Sequence, residues 1–161
     1  MTIKRYRLWS PRRPVLCVLL FFALVADGKA EHLSREVLDG PVTVDVIRVI
    51  DGDTIVVRAH PWLGLFVETR VRLEGIDAPE LRGHCDSEKA LAEQARTRLA
   101  ELLATGPARL GEIRNDKYGG RVRARVFNQA GTDLGAALIA AGLARPYHGE
   151  RRRPWCPANN G

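Results

Sequence analysis

Residues 42–59 decide the fold, and they read VTVDVIRVIDGDTIVVRA. β-Branched residues alternate with polar residues over 42–50, and the same bias returns over 54–59, after the turn residues Asp51 and Gly52. Alternation with a period of two is typical of strands that bury one face, and glycine permits a tight turn between them. The stretch therefore predicts a β-hairpin.

The segments on either side of this hairpin are less regular. Residues 31–40 are polar, carry no apolar period and predict a leader into the domain. Residues 60–66, HPWLGLF, contain proline and glycine and predict a loop, and a third strand is predicted over 67–74. We expect Trp62 and Trp155 in the core or at its rim.

A change of period predicts a helix over 87–104. Leucine and alanine side chains recur there on one helical face, with Asp86 or Ser87 as N-cap and Gly106-Pro107 as the stop signal. This is the longest helix that the sequence predicts.

The last third of the chain predicts two shorter strands, over 108–114 and 122–128, and a second helix. The helix is expected from Leu134 to Ala141, capped by Asp133 and ended by Gly142. The order is then three strands, a helix, two strands and a helix. We therefore predict a mainly β, α+β fold: a five-stranded OB-fold barrel with two packed helices.

The first thirty residues have the features of an export signal. Basic residues precede an apolar run over 15–26, and the small residues Gly28 and Ala30 stand where a signal peptidase would cut. An uncleaved anchor is the alternative, but a spanning helix needs about 20 apolar residues. We expect cleavage after Ala30, a secreted or periplasmic monomer with no membrane span, and one domain over 41–161.

Net charge gives no argument for nucleic-acid binding. Six of the 25 basic residues and one of the 19 acidic residues lie in the first thirty residues, which leaves the mature chain near +1. The formal charge of +6 therefore belongs mostly to the export signal, and this composition does not indicate a basic, phosphate-neutralising surface.

Two cysteines, Cys85 and Cys156, remain after the export signal is removed. In an oxidising compartment they predict one disulfide. It would close a loop of 71 residues, and closing a loop of that length stabilises a fold by about 4 kcal/mol. His84 and His148 lie near them and make a zinc site the alternative, although the paired ligand spacing of such sites is missing.

Three polar motifs lie at strand ends or in loops: DGDT over 51–54, RLEGIDAPE over 72–80 and DKYGGR over 116–121. Each motif alone has an ordinary structural interpretation, as a hairpin turn or a salt-bridged loop. Pro79 stiffens the second motif, which would hold its two carboxylates in fixed positions.

Together the motifs contain the groups that phosphodiester hydrolysis needs. Asp53 and Asp77 are hard oxygen ligands for a divalent cation, and Glu80 is a separate carboxylate that can take a proton from water. Arg72 and Arg121 can each bind a phosphate through two N–H groups. These five residues predict a metal-dependent phosphodiesterase site.

Other polar residues have no such place in a mechanism. His32, His60, His84 and His148 show no partner pattern that would make one of them the base. Glu74 is expected to alternate away from the ligand side of its strand or to face solvent.

The ordered trio of motifs resembles the thermonucleases, the staphylococcal-nuclease-like domains, from about Val42 to Tyr147. The resemblance implies an OB-fold barrel with packed helices. It also implies a Ca²⁺-dependent nuclease that cleaves single- and double-stranded DNA, and RNA, with endo- or exonucleolytic action that leaves 3'-phosphate ends.

The resemblance also assigns roles residue by residue. Asp53, Asp77 and the backbone carbonyl of Ala78 match the Ca²⁺ ligands. Asp51 matches a residue in the second coordination shell of the metal. Glu80 matches the residue that activates the attacking water. Mg²⁺ or Mn²⁺ would also suit a few oxygen ligands.

The remaining matched positions concern the substrate. Arg72 and Arg121 match the arginines that bind the scissile phosphate and stabilise the transition state, and Lys117 and Tyr118 match positions that contact nucleotide. Where the family commonly has Tyr-Gly-Arg, this chain has a second glycine, Gly120, before the arginine.

Two other functions remain as alternatives. A catalytically silent OB-fold that only binds nucleic acid is the main one, because such barrels often serve as binding modules. It would have no chemical need for Glu80. A disulfide-stabilised envelope protein would explain the export signal and the cysteines but not the three motifs.

Overall fold

A closed five-stranded barrel forms the centre of the fold. The computed structural model describes residues 37–157. In this part of the chain the elements are, in order, β1 (Val37–Leu38), β2 (Val42–Val49), β3 (Thr54–Trp62), β4 (Leu65–Leu73), β5 (Ile76–Asp77), α1 (Asp86–Leu103), β6 (Ala108–Asn115), β7 (Arg121–Phe127), α2 (Leu134–Ala140) and β8 (Arg145–Pro146).

The barrel closes because β6 pairs on both sides. Strands β2, β3 and β4 form an antiparallel meander, β4 runs parallel to β7, and β7 pairs with β6. The first half of β6 then pairs with β2, which completes the ring. The predicted OB-fold barrel with two helices is confirmed.

Side-chain alternation along the strands supplies the core. Inward residues on every barrel strand are buried, with the polar residues between them facing out. The core residues on the strands are Val44, Ile55, Val57, Val71, Leu73, Ala108, Leu110, Ala124 and Val126. Because both partners of each hairpin obey the same alternation, the hairpin predicted from 42–59 is confirmed.

Strand β3 continues beyond its predicted end, and there it forms a second hairpin with β4. Residues 60–66 are not a loop, because β3 runs to Trp62 and β4 begins at Leu65, with only Leu63 and Gly64 between them. The pairing is irregular between Ala59 and Trp62, which is where a strand tolerates proline. Trp62 is 76% exposed at this tip rather than in the core.

Both predicted helices are present, with one difference at a cap. Helix α1 begins at Asp86, and Cys85 is its N-cap residue with no side-chain cap bond, so the predicted cap of Asp86 or Ser87 is wrong. The predicted cap of α2 is confirmed, because Asp133 Oδ1 accepts a hydrogen bond from the Ala136 backbone N–H at 3.1 Å. Gly142 follows α2 with a φ of +71°.

Three short strands were not predicted. β1 lies in the segment expected to be a leader and pairs with the second half of β6. β5 pairs antiparallel with β8, which aligns Asp77 with Arg145 and brings the end of the described chain beside the second motif.

The expected export signal and its cleavage after Ala30 lie outside the described residues. Within residues 37–157, no helix has both the length and the apolar character that crossing a membrane requires.

Candidate active site

The three sequence motifs meet at one open cleft of about 920 Å³ on the barrel. The strand register brings them together, because Thr54 pairs with Arg72 across β3 and β4, and Arg70 pairs with Arg121 across β4 and β7. Six of the predicted site residues line the cleft: Asp53, Arg72, Glu80, Lys117, Tyr118 and Arg121.

The DGDT motif holds Asp53 in a tight, hydrogen-bonded turn. The backbone N–H of Asp53 donates to Asp51 Oδ1 at 3.0 Å, and the Thr54 hydroxyl donates to Asp53 Oδ1 at 2.8 Å. Only 4% of Asp53 is exposed. The carboxylate is therefore held rigidly at the edge of the cleft.

Gly52 is needed in this turn for a different reason from the predicted one. Its backbone is not in the left-handed region, so conformational freedom does not require glycine here. A Cβ at this position would instead lie 2.7 Å from the Ala95 Cβ and 3.0 Å from the Ala78 Cβ. Glycine allows α1 and the second motif to approach the turn closely.

Burial raises the pKa of Asp53 from 3.8 to about 6, with the nearby Asp51 contributing, although the Arg72 guanidinium and the hydrogen bond from Thr54 oppose the shift. Arg72 Nη1 lies 2.5 Å from Asp53 Oδ2, and Arg72 Nη2 donates to the Ile76 carbonyl at 3.3 Å. The guanidinium is therefore fixed at the cleft by its neighbours, and at neutral pH it faces an ionised carboxylate.

The third motif places Arg121 in the same cleft despite the second glycine. Gly119 and Gly120 lie in the turn before β7, and Gly120 has a φ of +72°, which accommodates the extra residue. Arg121 Nε lies 2.5 Å from Asp116 Oδ2, and its guanidinium carbon lies 4.7 Å from the centre of the Tyr118 ring. Asp116 thus orients Arg121, a role that sequence analysis missed.

Asp77 and Ala78 lie beside the main cleft rather than in it. Both are buried, and they line a neighbouring cavity of about 400 Å³ whose wall Glu80 and Arg152 share with the main cleft. Trp155 Nε1 donates to Asp77 Oδ2 at 3.2 Å. Asp77 Oδ1 is buried and accepts no hydrogen bond, although Arg152 Nε lies 2.9 Å away, because this N–H does not point at the oxygen.

Glu80 is exposed, but its backbone is anchored by a buried acid that the sequence analysis did not single out. Glu88 on α1 accepts hydrogen bonds from the His84 N–H at 3.0 Å and the Glu80 N–H at 3.4 Å. Glu88 lies three residues after the N-cap residue Cys85, but it binds the N–H groups of His84 and Glu80 rather than that of Cys85, so the contact is not a capping box. A capping-box pattern in the sequence would therefore not have identified this contact, and the N-cap position also lacks the serine or threonine of that pattern.

The comparison with known proteins agrees with this geometry. The family model described as "Staphylococcal nuclease homologue" matches residues 70–155, just over half of the chain. The chain belongs to the staphylococcal nuclease homologue family. Seven of the eight predicted site residues of this family member lie inside the matched range, and only Asp53 precedes it.

Two curated proteins are similar to this member of the staphylococcal nuclease homologue family. "Micrococcal nuclease" of Shigella flexneri is 34% identical over 110 residues, which are 64% of this chain and 57% of the relative. "Protein ParB" of Escherichia coli is 32% identical over 119 residues, which are 68% of this chain and 61% of the relative. The chain thus spans about three fifths of the length of these relatives.

Several residues with alternative roles lie away from the cleft in this family member. Glu74 pairs with Arg123 at 3.2 Å and does not line the cleft. His60 pairs with Asp45 at 2.8 Å, His84 lines only the smaller cavity, and His148 donates its backbone N–H to Glu150. His32 lies outside the described residues.

The cysteines do not form a zinc site in this structure. Cys85, Cys156 and the Glu88 carboxylate lie within 4.8 Å of one another, but the two sulfurs are bonded to each other at 2.12 Å. A disulfide leaves no thiolate to bind a metal, so the zinc alternative has no support here.

Proposed function

We propose that this protein is a nuclease that hydrolyses phosphodiester bonds in single- and double-stranded DNA and in RNA, with Ca²⁺ as its cofactor. One observation carries the proposal: Asp53, Arg72, Glu80 and Arg121, from three separate motifs, line a single cleft in a member of the staphylococcal nuclease homologue family. The "Micrococcal nuclease" relative supports the same class of reaction.

The buried acids of this chain fit a hard divalent cation. Asp53 and Asp77 are each 4% exposed, and Asp77 Oδ1 is buried without a hydrogen bond. Arg152 is an ion-pair partner of this oxygen but does not donate a hydrogen bond to it, and a buried carboxylate with incomplete hydrogen bonding is stabilised when a cation binds it. Asp53, Asp77 and the carbonyl of Ala78 would hold Ca²⁺, which supplies positive charge for a phosphate oxygen when it is bound.

Glu80 is the group that we assign to the attacking water. It lines the main cleft and its wall with the smaller cavity, beside the two buried acids. As the base, it would take one proton from water while the water oxygen forms a bond to phosphorus. The bond from phosphorus to the 5' oxygen then breaks, and that oxygen takes a proton from solvent to become a 5'-hydroxyl. The other product is the 3'-phosphate end that we propose.

Arg72 and Arg121 are positioned to stabilise the charge on the phosphate. Each guanidinium is held at the cleft by a carboxylate, Asp53 for one and Asp116 for the other, so little ordering is needed when the phosphate binds. Tyr118 is 56% exposed, and its ring is available for stacking on a base. The Lys117 ammonium lies 5.1 Å from the centre of that ring.

The proposed setting is outside the cytoplasm, as a monomer. It is supported by the export-signal pattern in residues 1–30 and by the disulfide between Cys85 and Cys156, a bond that persists in oxidising compartments.

A cleavage assay with matched variants tests the proposal. Purified mature protein is incubated with single-stranded DNA in Ca²⁺ or in chelator, beside Glu80→Gln and the exposed control Glu93→Gln. We expect cleavage only with Ca²⁺, a loss of about 10²-fold or more in Glu80→Gln, and an unchanged control. The 3' ends should resist polymerase extension until a phosphatase removes the phosphate.

The opposite results are equally clear. Degradation that continues in chelator, or that Glu80→Gln leaves intact, would exclude this mechanism. Binding of DNA without cleavage would indicate a binding module instead. In a second comparison, the cleavage rate of Arg121→Ala should be about 10²-fold lower than that of the wild type. Arg123 also lines the cleft, but its guanidinium pairs with Glu74, which does not, so Arg123→Ala should lose less activity.

A further inference from the structure

The segment after β8 contacts one proposed metal ligand, Asp77, and the proposed base, Glu80. Arg152 Nε lies 2.9 Å from Asp77 Oδ1, and Arg152 Nη1 lies 2.7 Å from Glu80 Oε1. One guanidinium therefore spans a proposed metal ligand and the proposed base. Its side chain also lines both the main cleft and the smaller cavity, at the wall between them.

Arg152 differs from the two arginines beside it. Arg151, Arg152 and Arg153 form a uniform basic run in the sequence, but within residues 37–157 only the middle one makes an ion pair. Arg153 lines the smaller cavity together with Asp77, whereas Arg151 lines neither that cavity nor the main cleft. Arg151 thus offers a matched control of the same type and nearly the same position.

Contacts on both sides of Arg152 hold this segment in place. Before it, β8 pairs with β5 as an antiparallel strand, in a register that places Arg145 opposite Asp77. After it, Trp155 donates to Asp77 Oδ2, and the Arg145 guanidinium lies 3.7 Å from the centre of the Trp155 ring. Cys156 then joins the segment covalently to Cys85.

The charge of Arg152 matches what the acids lack. A guanidinium is protonated throughout the physiological pH range, and this one lies within ion-pairing distance of both Asp77 and Glu80. The side chain therefore stays positive. It compensates the charge of Asp77 incompletely, since Asp77 Oδ1 still accepts no hydrogen bond.

We propose that Arg152 is a built-in cation that neutralises Asp77 and Glu80 in the metal-free protein and that a divalent cation must displace. Arg152 thereby weakens metal binding and sets its affinity, while it keeps the metal-free fold from carrying uncompensated buried charge. The inference rests on the proposed function, because it assumes that Asp77 is a metal ligand.

Calorimetric titration of the full mature protein with CaCl₂ tests the inference directly. We expect Arg152→Gln to bind Ca²⁺ about tenfold tighter than the wild type, a change of about 1.4 kcal/mol, and Arg151→Gln to bind like the wild type. A gain of affinity is a result that mere structural damage would not produce. Urea unfolding in chelator should show Arg152→Gln to be less stable, and Ca²⁺ should restore more stability to it than to the wild type.

The outcomes separate this inference from the proposed function. Equal affinity in the wild type and Arg152→Gln, or weaker affinity in the variant, overturns the inference while the proposed metal site stands. Binding in neither protein refutes the metal site and the inference together. Binding in the variant alone supports the inference in its strongest form.

Discussion

Asp53 combines burial with an ionisable group, and both properties matter to the site. Burial in the turn raises the pKa of this carboxyl to about 6, and Arg72 offsets the effect of burial only in part. Such a residue is poorly placed for stability of the metal-free protein but well placed to bind a cation. Function and stability therefore make opposite demands on this one side chain.

The raised pKa of Asp53 gives a pH dependence with a definite sign. The folded protein keeps this proton up to a pKa of about 6, whereas the unfolded chain loses it near 3.8. Hence the contribution of Asp53 to the free energy of unfolding falls as the pH rises from about 4 to about 6. As the pH rises over this range, the free energy of unfolding of Asp53→Asn should increase by about 3 kcal/mol relative to that of the wild type.

Urea unfolding in chelator at several pH values measures this difference. Asp86→Asn, at a fully exposed position, controls for the loss of one negative charge. Parallel stability curves for the wild type and Asp53→Asn would show that burial does not perturb this carboxyl.

Helix α1 acts as the element that positions the first two motifs. Its Ala95 packs against the DGDT turn at Gly52, and its Glu88 binds the backbone of the segment that carries Glu80. The close approach leaves no room for a methyl group at Gly52. The helix therefore does more than cover the barrel: it sets the positions of residues at the cleft.

Replacing Gly52 with alanine should separate these elements. A Cβ 2.7 Å from Ala95 forces α1 or the turn to move, and we expect a loss of about 1–3 kcal/mol in the free energy of unfolding. Gly119→Ala is the control, because a Cβ there meets nothing within 4 Å and its φ is not positive. Urea unfolding measures both.

A second substitution tests whether the contact with Ala95 causes the loss of stability expected for Gly52→Ala. Ala95→Gly removes the opposing methyl group, so the double variant Gly52→Ala with Ala95→Gly should destabilise less than the two single changes added together. If the two changes in the free energy of unfolding are strictly additive, Gly52→Ala destabilises the turn itself and not the contact between the turn and the helix.

At the scale of the whole molecule, the disulfide joins two distant parts of the chain. Cys85 precedes α1, and Cys156 follows the segment that carries Arg152, with a sequence separation of 71 residues. The bond therefore stabilises the fold and holds the C-terminal segment over the site at the same time.

Removing the disulfide should lower stability by about 2–5 kcal/mol. The double variant Cys85→Ser with Cys156→Ser is compared with the wild type by urea unfolding, with and without reductant. Reductant should destabilise the wild type and leave the variant unchanged. An intact mass of the untreated protein that is not about two daltons below that of the reduced protein would show that the bond does not form.

The barrel and most of the candidate site could be predicted from sequence because their signals are local. Strand alternation over 42–59, the helical period of α1 and the capping residue Asp133 each lie within one element. The loop predicted over 60–66 was wrong, because proline and glycine, which are typical of loops, here lie at the ends of two paired strands. Local patterns predict which element forms better than where it ends.

Contacts between residues far apart in the chain were decided only by tertiary structure. No local pattern distinguishes Arg152 from its neighbours or predicts that it lies on Asp77, 75 positions earlier. The reason that position 52 must be glycine is likewise the approach of Ala95. The sequence by itself determined the barrel and the chemical groups of the cleft, because alternation and motif spacing are local. Packing of α1 and of the C-terminal segment decided how those groups are held and which charges compensate them, because burial and ion pairing depend on the closed fold.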